Sequence, residues 1–301
     1  MLPRVVVIQD ALAIARYHIV LVAMAACVVF GWTFTGKYAW ALTIVVAVDW
    51  FLINLANRIT DIDEDLANGI PGTERVARAK TALIALCLAL GISSFLVTNF
   101  LWPALTPWRV VVQIIGLAYN YRLVPTPSGR KRFKEIYFFK NFMSAVLFVL
   151  TCFVYPLVAI DAPRLVPFGT VVVLALFFVP FELTYEILYD LRDLEGDRAE
   201  GIPTYPVVHG ALASRRIIDA LLALAGVVLL VGFAMRLVGA RELLMLFAPI
   251  AQLVFYRPRF RRGLTTPDCV VLTHMGTAML LFFLAGTAVW LRLGLPANVY
   301  W

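Results

Sequence analysis

The sequence predicts an all-α, multi-pass membrane protein of about nine transmembrane helices. Three observations lead there. Of the 301 residues, 62% are hydrophobic and only 15% charged, where a soluble domain runs to about half and a quarter. The mean hydropathy is +0.86. The apolar residues also come in runs near the ~20 residues that a helix needs to cross the hydrocarbon core. This composition excludes a soluble enzyme, a disordered regulator and a nucleic-acid-binding domain, so no nucleic acid is expected as a partner.

The runs fall near 12–34, 38–57, 81–102, 104–121, 138–160, 165–188, 217–237, 241–256 and 269–291. The first passes straight through Met24-Ala25-Ala26-Cys27 to Phe30, which reads as a retained helix rather than a cleaved leader. The fourth is interrupted by Pro103, Pro107 and Arg109, and the eighth is short and follows a turn at Gly239. A single membrane domain over 1–301 uses nearly the whole length. The four cysteines are far apart, each in an apolar run, with no CxxC. That pattern supports neither a disulfide framework nor a zinc site.

The net charge of +7 is a topology signal rather than a nucleic-acid footprint. With nine spans, twenty of the 26 Lys and Arg fall on the N-terminal side and six on the other. Basic residues collect on the cytoplasmic side. The N-terminus and the loops 58–80, 122–137, 189–216 and 257–268 are therefore expected in the cytoplasm, with the chain in the cell inner membrane. The run Arg257-Pro-Arg-Phe-Arg-Arg262 reads as an anchor to lipid headgroups.

Twelve of the nineteen acidic residues lie in two short windows, Asp61–Glu74 and Glu182–Glu200. Asn57, Asp61 and Asp65 recur at i, i+4 and i+8. Glu186, Asp190, Asp193 and Asp197 follow the same one-face spacing on a helix. Two such carboxylate stripes at helix ends on one side repel each other unless a cation lies between them. Mg²⁺, which takes oxygen ligands, keeps waters and shares phosphate oxygens, suits them, and its open positions suit a diphosphate.

Asn57-Arg-Ile-Thr-Asp61-Ile-Asp-Glu-Asp65, followed by Asn68, resembles the first aspartate-rich motif of the UbiA superfamily of intramembrane prenyltransferases. The stretch from Asp190 to Gly210 is similar to the second motif and its tail, and Arg132 to Asn141 to the basic segment between them. The resemblance implies helices around a central cavity, with both motifs at its cytoplasmic mouth. Two Mg²⁺ would bridge them to the diphosphate of a prenyl donor. It places Asn57, Asp61, Asp65, Asp190, Asp193 and Asp197 at the metal. Asn57, Lys134, Lys140, Asn141, Arg198 and Tyr185 fall at the donor, with Lys134 on the diphosphate.

The chain departs from the family pattern in two places. Arg58 stands where many members have an acid, which leaves Asp63 as a possible replacement ligand. The insert at 125–130 separates Lys134 from Tyr119, Tyr121 and Arg122. Either tyrosine can fill the family position, and Arg122 can share the role of Lys134. Phe138, Phe139, Phe142, Phe181 and Tyr185 are candidates to stabilise a carbocation by cation–π contact, beside ordinary packing. Asp49, in mid-span, is either functional (an acceptor-orienting group, a base or a partner of a basic group) or a satisfied structural carboxylate. His18 and His274 read as core histidines.

The leading expectation is a Mg²⁺-dependent prenyltransferase that moves an isoprenoid from its diphosphate to a lipophilic, aromatic acceptor. The aromatic preference rests on the family. A terpene cyclase, with the same ionisation and no acceptor, is the alternative. A divalent-cation transporter is disfavoured, because the outward halves of spans three, five, six and nine are almost wholly apolar.

Overall fold

The computed structural model describes residues 10–295; Arg4, one of the counted basic residues, lies outside them. Helices stand at all nine predicted positions: α1 (Tyr17–Thr35), α2 (Trp40–Thr60), α4 (Thr73–Leu101), α5 (Thr106–Asn120), α6 (Phe139–Ala159), α7 (Phe168–Arg192), α10 (Ala211–Ala234), α11 (Phe247–Arg261) and α12 (Thr266–Arg292). Three short helices complete the order: α3 (Ile62–Ala67) after α2, and α8 (Leu194–Ala199) and α9 (Tyr205–His209) after α7. Among the described residues, seven of these helices are long and apolar enough to cross a membrane. The other two, α5 and α11, have 15 residues each, short of the ~20 a full crossing takes. A 3₁₀ turn precedes each, Pro103–Leu105 and Glu242–Leu246.

Helix α7 is the central pillar, with 72% of its apolar window buried, whereas α4 buries 6% and faces lipid. The apolar core gathers around Phe30, Phe34, Phe153, Phe178 and Leu174. In α6 a π-type turn at Leu150–Val154 shifts the helix register. On this stretch Thr151 accepts the Trp50 indole N–H at 3.0 Å, and Tyr155 donates its hydroxyl to Asp49 at 2.9 Å.

The insert at 125–130 folds as a small hairpin, β1 (Val124–Thr126) with β2 (Gly129–Lys131). Past it the chain makes a 3₁₀ turn at Phe133–Glu135. Phe138 adopts φ 72°, a left-handed conformation that costs a non-glycine residue energy. That kink turns the chain directly into α6, so Lys134 and Lys140 enter the bundle from one corner.

Candidate active site

A cavity of about 710 Å³ runs down the bundle from the aspartate motifs to the turn at Glu242–Leu246. Its deep walls carry Phe30, Phe148, Phe177, Phe178, Phe181 and Phe283. Its mouth carries the charged residues.

The two motifs are built alike. Helix α2 ends at Asp61 (φ −106°, ψ 27°) and α3 restarts there. Helix α7 ends at Asp193 (φ −93°, ψ 11°) and α8 restarts there. Asp65 N–H then donates to the Asp61 carbonyl at 2.8 Å, and Asp197 N–H to that of Asp193 at 2.9 Å. Each short helix runs into a left-handed glycine, Gly69 (φ 62°) or Gly201 (φ 67°). The next residue reaches back, Ile70 N–H to Asp65 O at 2.9 Å and Ile202 N–H to Asp197 O at 2.8 Å.

With that register set, an internal repeat becomes visible: Asp61-x₃-Asp65-x-Ala-x-Gly69-Ile-Pro71 against Asp193-x₃-Asp197-x-Ala-x-Gly201-Ile-Pro203. The sequence reading missed it, although both copies end in Gly-Ile-Pro. In the same register Arg58 matches Asp190.

Lys134 Nζ is 2.8 Å from Asp61 and 2.7 Å from Glu64, with Arg132 3.4 Å from Asp61. Asn57 donates to Asp61, and to Asn120 at 3.1 Å. Arg58 pairs with Asp65 at 2.5 Å. In the second motif, Lys140 Nζ spans Asp190 (2.9 Å) and Asp197 (3.0 Å), and Asn141 donates to Asp190 at 2.7 Å. Arg192 pairs with Asp193 at 2.5 Å. The motifs touch where Gly196 packs on the Asn68 side chain, which a Cβ would strike. Gly196→Ala is therefore expected to cost about 1–3 kcal/mol, the usual overpacking penalty. Asn68→Ala added to it should recover most of that loss in thermal unfolding of the detergent-purified protein.

Of the sequence-predicted residues, Asn57, Asp61, Asp65, Asp193, Lys134, Tyr119 and Tyr185 border the cavity. Asp190, Asp197, Lys140 and Asn141 form the cluster behind its second-motif wall. Asp63 is exposed and Asp61 buried, because Asp63 points away on the short α3. Helix α5 ends at Asn120, so Tyr119 faces the cavity while Tyr121 leaves in extended conformation, 46% exposed. Arg122 lies outside and pairs with Glu135 at 3.2 Å. Burial pushes the Glu135 carboxyl up, but the Arg132 backbone N–H and the Arg132 and Arg122 guanidinium groups outweigh it and hold it below its usual range. Arg198 is exposed and pairs with Glu195.

Asp49 does not border the cavity. It is fully buried, held by Arg109 through both oxygens, by Gln113 Nε2 at 2.8 Å and by Tyr155. Arg109, counted above among the outward charges, is thus a buried ion-pair partner.

His18, read from the sequence as a core histidine, instead borders the cavity, as do Glu182 and Glu186. His18 stacks on Tyr189 with ring planes 4° apart, and the neighbouring Tyr17 hydroxyl bonds His274 Nε2 at 2.9 Å. Deeper in, Ser144 donates to Glu186 at 2.8 Å and sits 3.4 Å from Glu182.

Among the described residues no three His, Cys, Asp or Glu side chains converge closely enough to hold a metal by themselves. The donor set is nonetheless all oxygen, and the lysines already span its carboxylate pairs. That arrangement fits a hard cation that brings its own waters and shares an anionic ligand.

Residues 131–263 match the model of the UbiA prenyltransferase family. No curated protein sequence matches. Among solved structures, a UbiA homologue from Archaeoglobus fulgidus bound to GPP and Mg²⁺ aligns at 19% identity and TM-score 0.68, covering 93% of this chain and 99% of that one. A structure described as digeranylgeranylglyceryl phosphate synthase aligns at 18% and 0.60, covering 93% and 98%. A UbiA homologue from Aeropyrum pernix K1 aligns at 16% and 0.56, covering 91% and 98%.

Proposed function

We propose, from the UbiA superfamily resemblance that both the family match and the fold bear out, that this chain is an intramembrane prenyltransferase using Mg²⁺. It transfers an isoprenoid chain from a prenyl diphosphate to a lipophilic, aromatic acceptor. The observation that carries this reading is the pairing of two facing carboxylate motifs, with Lys134 between Asp61 and Glu64, at the mouth of a deep aromatic cavity. An A. fulgidus homologue of this fold holds GPP and Mg²⁺.

Asp61, Asp65, Asp190, Asp193 and Asp197, with Asn57, would hold Mg²⁺, which supplies charge to the departing diphosphate. Lys134 meets the leaving group as the allylic C–O bond breaks, the point where a pre-placed cation lowers the barrier most. Lys140 and Asn141 keep Asp190 and Asp197 aligned. Tyr119, Tyr185 and the phenylalanines exclude water and offer ring faces to the allylic cation. Glu182 and Glu186, joined through Ser144, are placed to orient an acceptor hydroxyl. The positive-inside count puts this mouth at the cytoplasmic face of the inner membrane.

The test is incubation with a labelled prenyl diphosphate series and Mg²⁺, with Asp61→Ala/Asp190→Ala as the blank. Donor stable alone and consumed once a phenolic acceptor or membrane extract is added supports transfer. Cyclised product without acceptor replaces this reading with a cyclase, and no turnover in any arm overturns it.

Burial pushes Asp197 up to about 6, with Lys140 opposing. A folded pKa above the unfolded one contributes stability that is present below the unfolded value and lost as pH rises through the folded one. Metal-free protein should thus lose this contribution between about pH 4 and 6. Binding Mg²⁺ needs the carboxylate, so the half-saturating Mg²⁺ concentration should rise as pH falls through about 6. A Mg²⁺ titration from pH 5 to 7.5 checks it. A flat profile would mean that Asp197 is not at the metal.

A further inference from the structure

The repeat sets Arg58 in register with Asp190, the one position at which the two aspartate segments carry opposite charges. Arg58 is almost fully buried at 1% exposure and borders the cavity. Its Nη1 pairs with Asp65 at 2.5 Å and lies 3.3 Å from Thr73 Oγ1, and its Nη2 donates to the Pro71 carbonyl at 2.6 Å. Its Nε has no partner. A buried N–H left unbonded is costly, and this one belongs to a guanidinium held rigidly on its other side. Guanidinium is permanently charged and its fork matches phosphate oxygens.

The charge balance separates the two motifs. Around the first, Asp61, Glu64, Asp65 and Glu135 face Arg58, Arg122, Arg132 and Lys134, four against four. Around the second, Asp190, Asp193 and Asp197 face Lys140 and Arg192, three against two. The first motif is therefore neutral as built. The second keeps a negative charge in excess, which favours a cation there.

We propose that Arg58 is a built-in cation that meets the donor diphosphate from the first motif, so that the site takes one divalent ion, on the second motif, instead of two. Asp65 then serves to position Arg58 and is not a metal ligand. The inference rests on the prenyl diphosphate reading and narrows it. A purely structural Arg58, tying α2 to the 71–73 turn, would leave the number of ions unaffected.

The experiment counts Mn²⁺ bound per chain, by electron paramagnetic resonance of free Mn²⁺, with the whole protein in detergent and saturating geranyl S-thiolodiphosphate as the unreactive donor. The expected count is one for the wild type and one for Asp65→Asn. Arg58→Asp, which restores the register of the second motif, should bind two. Two ions in the wild type, falling to one in Asp65→Asn, would overturn the proposal even if Arg58→Asp does not fold. One ion in a folded Arg58→Asp variant would overturn it as well. No analogue-dependent Mn²⁺ in any variant would sink the prenyl diphosphate reading itself, an outcome distinct from a count of two.

Discussion

Lys134→Ala is expected to lower kcat by about 10²–10³-fold, the usual loss when one pre-placed charge is removed from a developing anion. Lys134 is 2% exposed and lies within 2.8 Å of Asp61. Its loss therefore also removes one of the cations that neutralise the first motif. Asp61 keeps Arg132 and Asn57 as partners, so the fold should survive. Thermal unfolding measured beside steady-state turnover separates the two effects. A melting temperature near wild type with turnover lost assigns Lys134 to the leaving group, whereas unchanged turnover would remove it from the chemistry.

The second large effect is on stability. Arg109→Ala should cost about 3–5 kcal/mol, because removing one member of a buried ion pair strands the other. Here the stranded group is Asp49, and Ser94 and Thr98 on α4 lose their tie to α5. Denaturant unfolding in mixed micelles reads this directly. Asp49→Asn should also lower stability while the folded fraction keeps its kcat. A normal melting temperature with lost turnover would instead put Asp49 in the chemistry.

Much of the fold was legible because a lipid-facing helix needs only length and hydropathy, and both are local properties. That is why helices appear at all nine expected positions. Two of them, α5 and α11, are only 15 residues long because a 3₁₀ turn takes the start of each apolar run, a break that hydropathy does not show. The aspartate motifs were legible from their spacing, but not the breaks at Asp61 and Asp193, where each long helix ends and a short one begins. Pairings between distant segments were not legible either. Nothing local to Arg109 indicates that Asp49, on another helix, will neutralise it. Tyr119 and Tyr121 were indistinguishable until the end of α5 at Asn120 turned one inward and the other out. The Asp61/Asp193 repeat went unread because its copies share only the spaced Asp, Ala and Gly-Ile-Pro positions and differ in charge between them, as at Glu64 and Gly196.

The Asp49–Arg109 pair also bears on how the chain enters the bilayer. A single Asp or Arg at the centre of a nascent helix opposes translocon partitioning by about 2.5–3.5 kcal/mol. Neither α2 nor the short α5 offsets that well alone, whereas α4 between them carries a mean hydropathy of 2.2 and no charge in its apolar stretch. Synthesis therefore releases the acid first, then an unopposed lipid-facing helix, then the base. Stable insertion of α2 is thus expected to gain from the later arrival of α5, whose Arg109 neutralises Asp49.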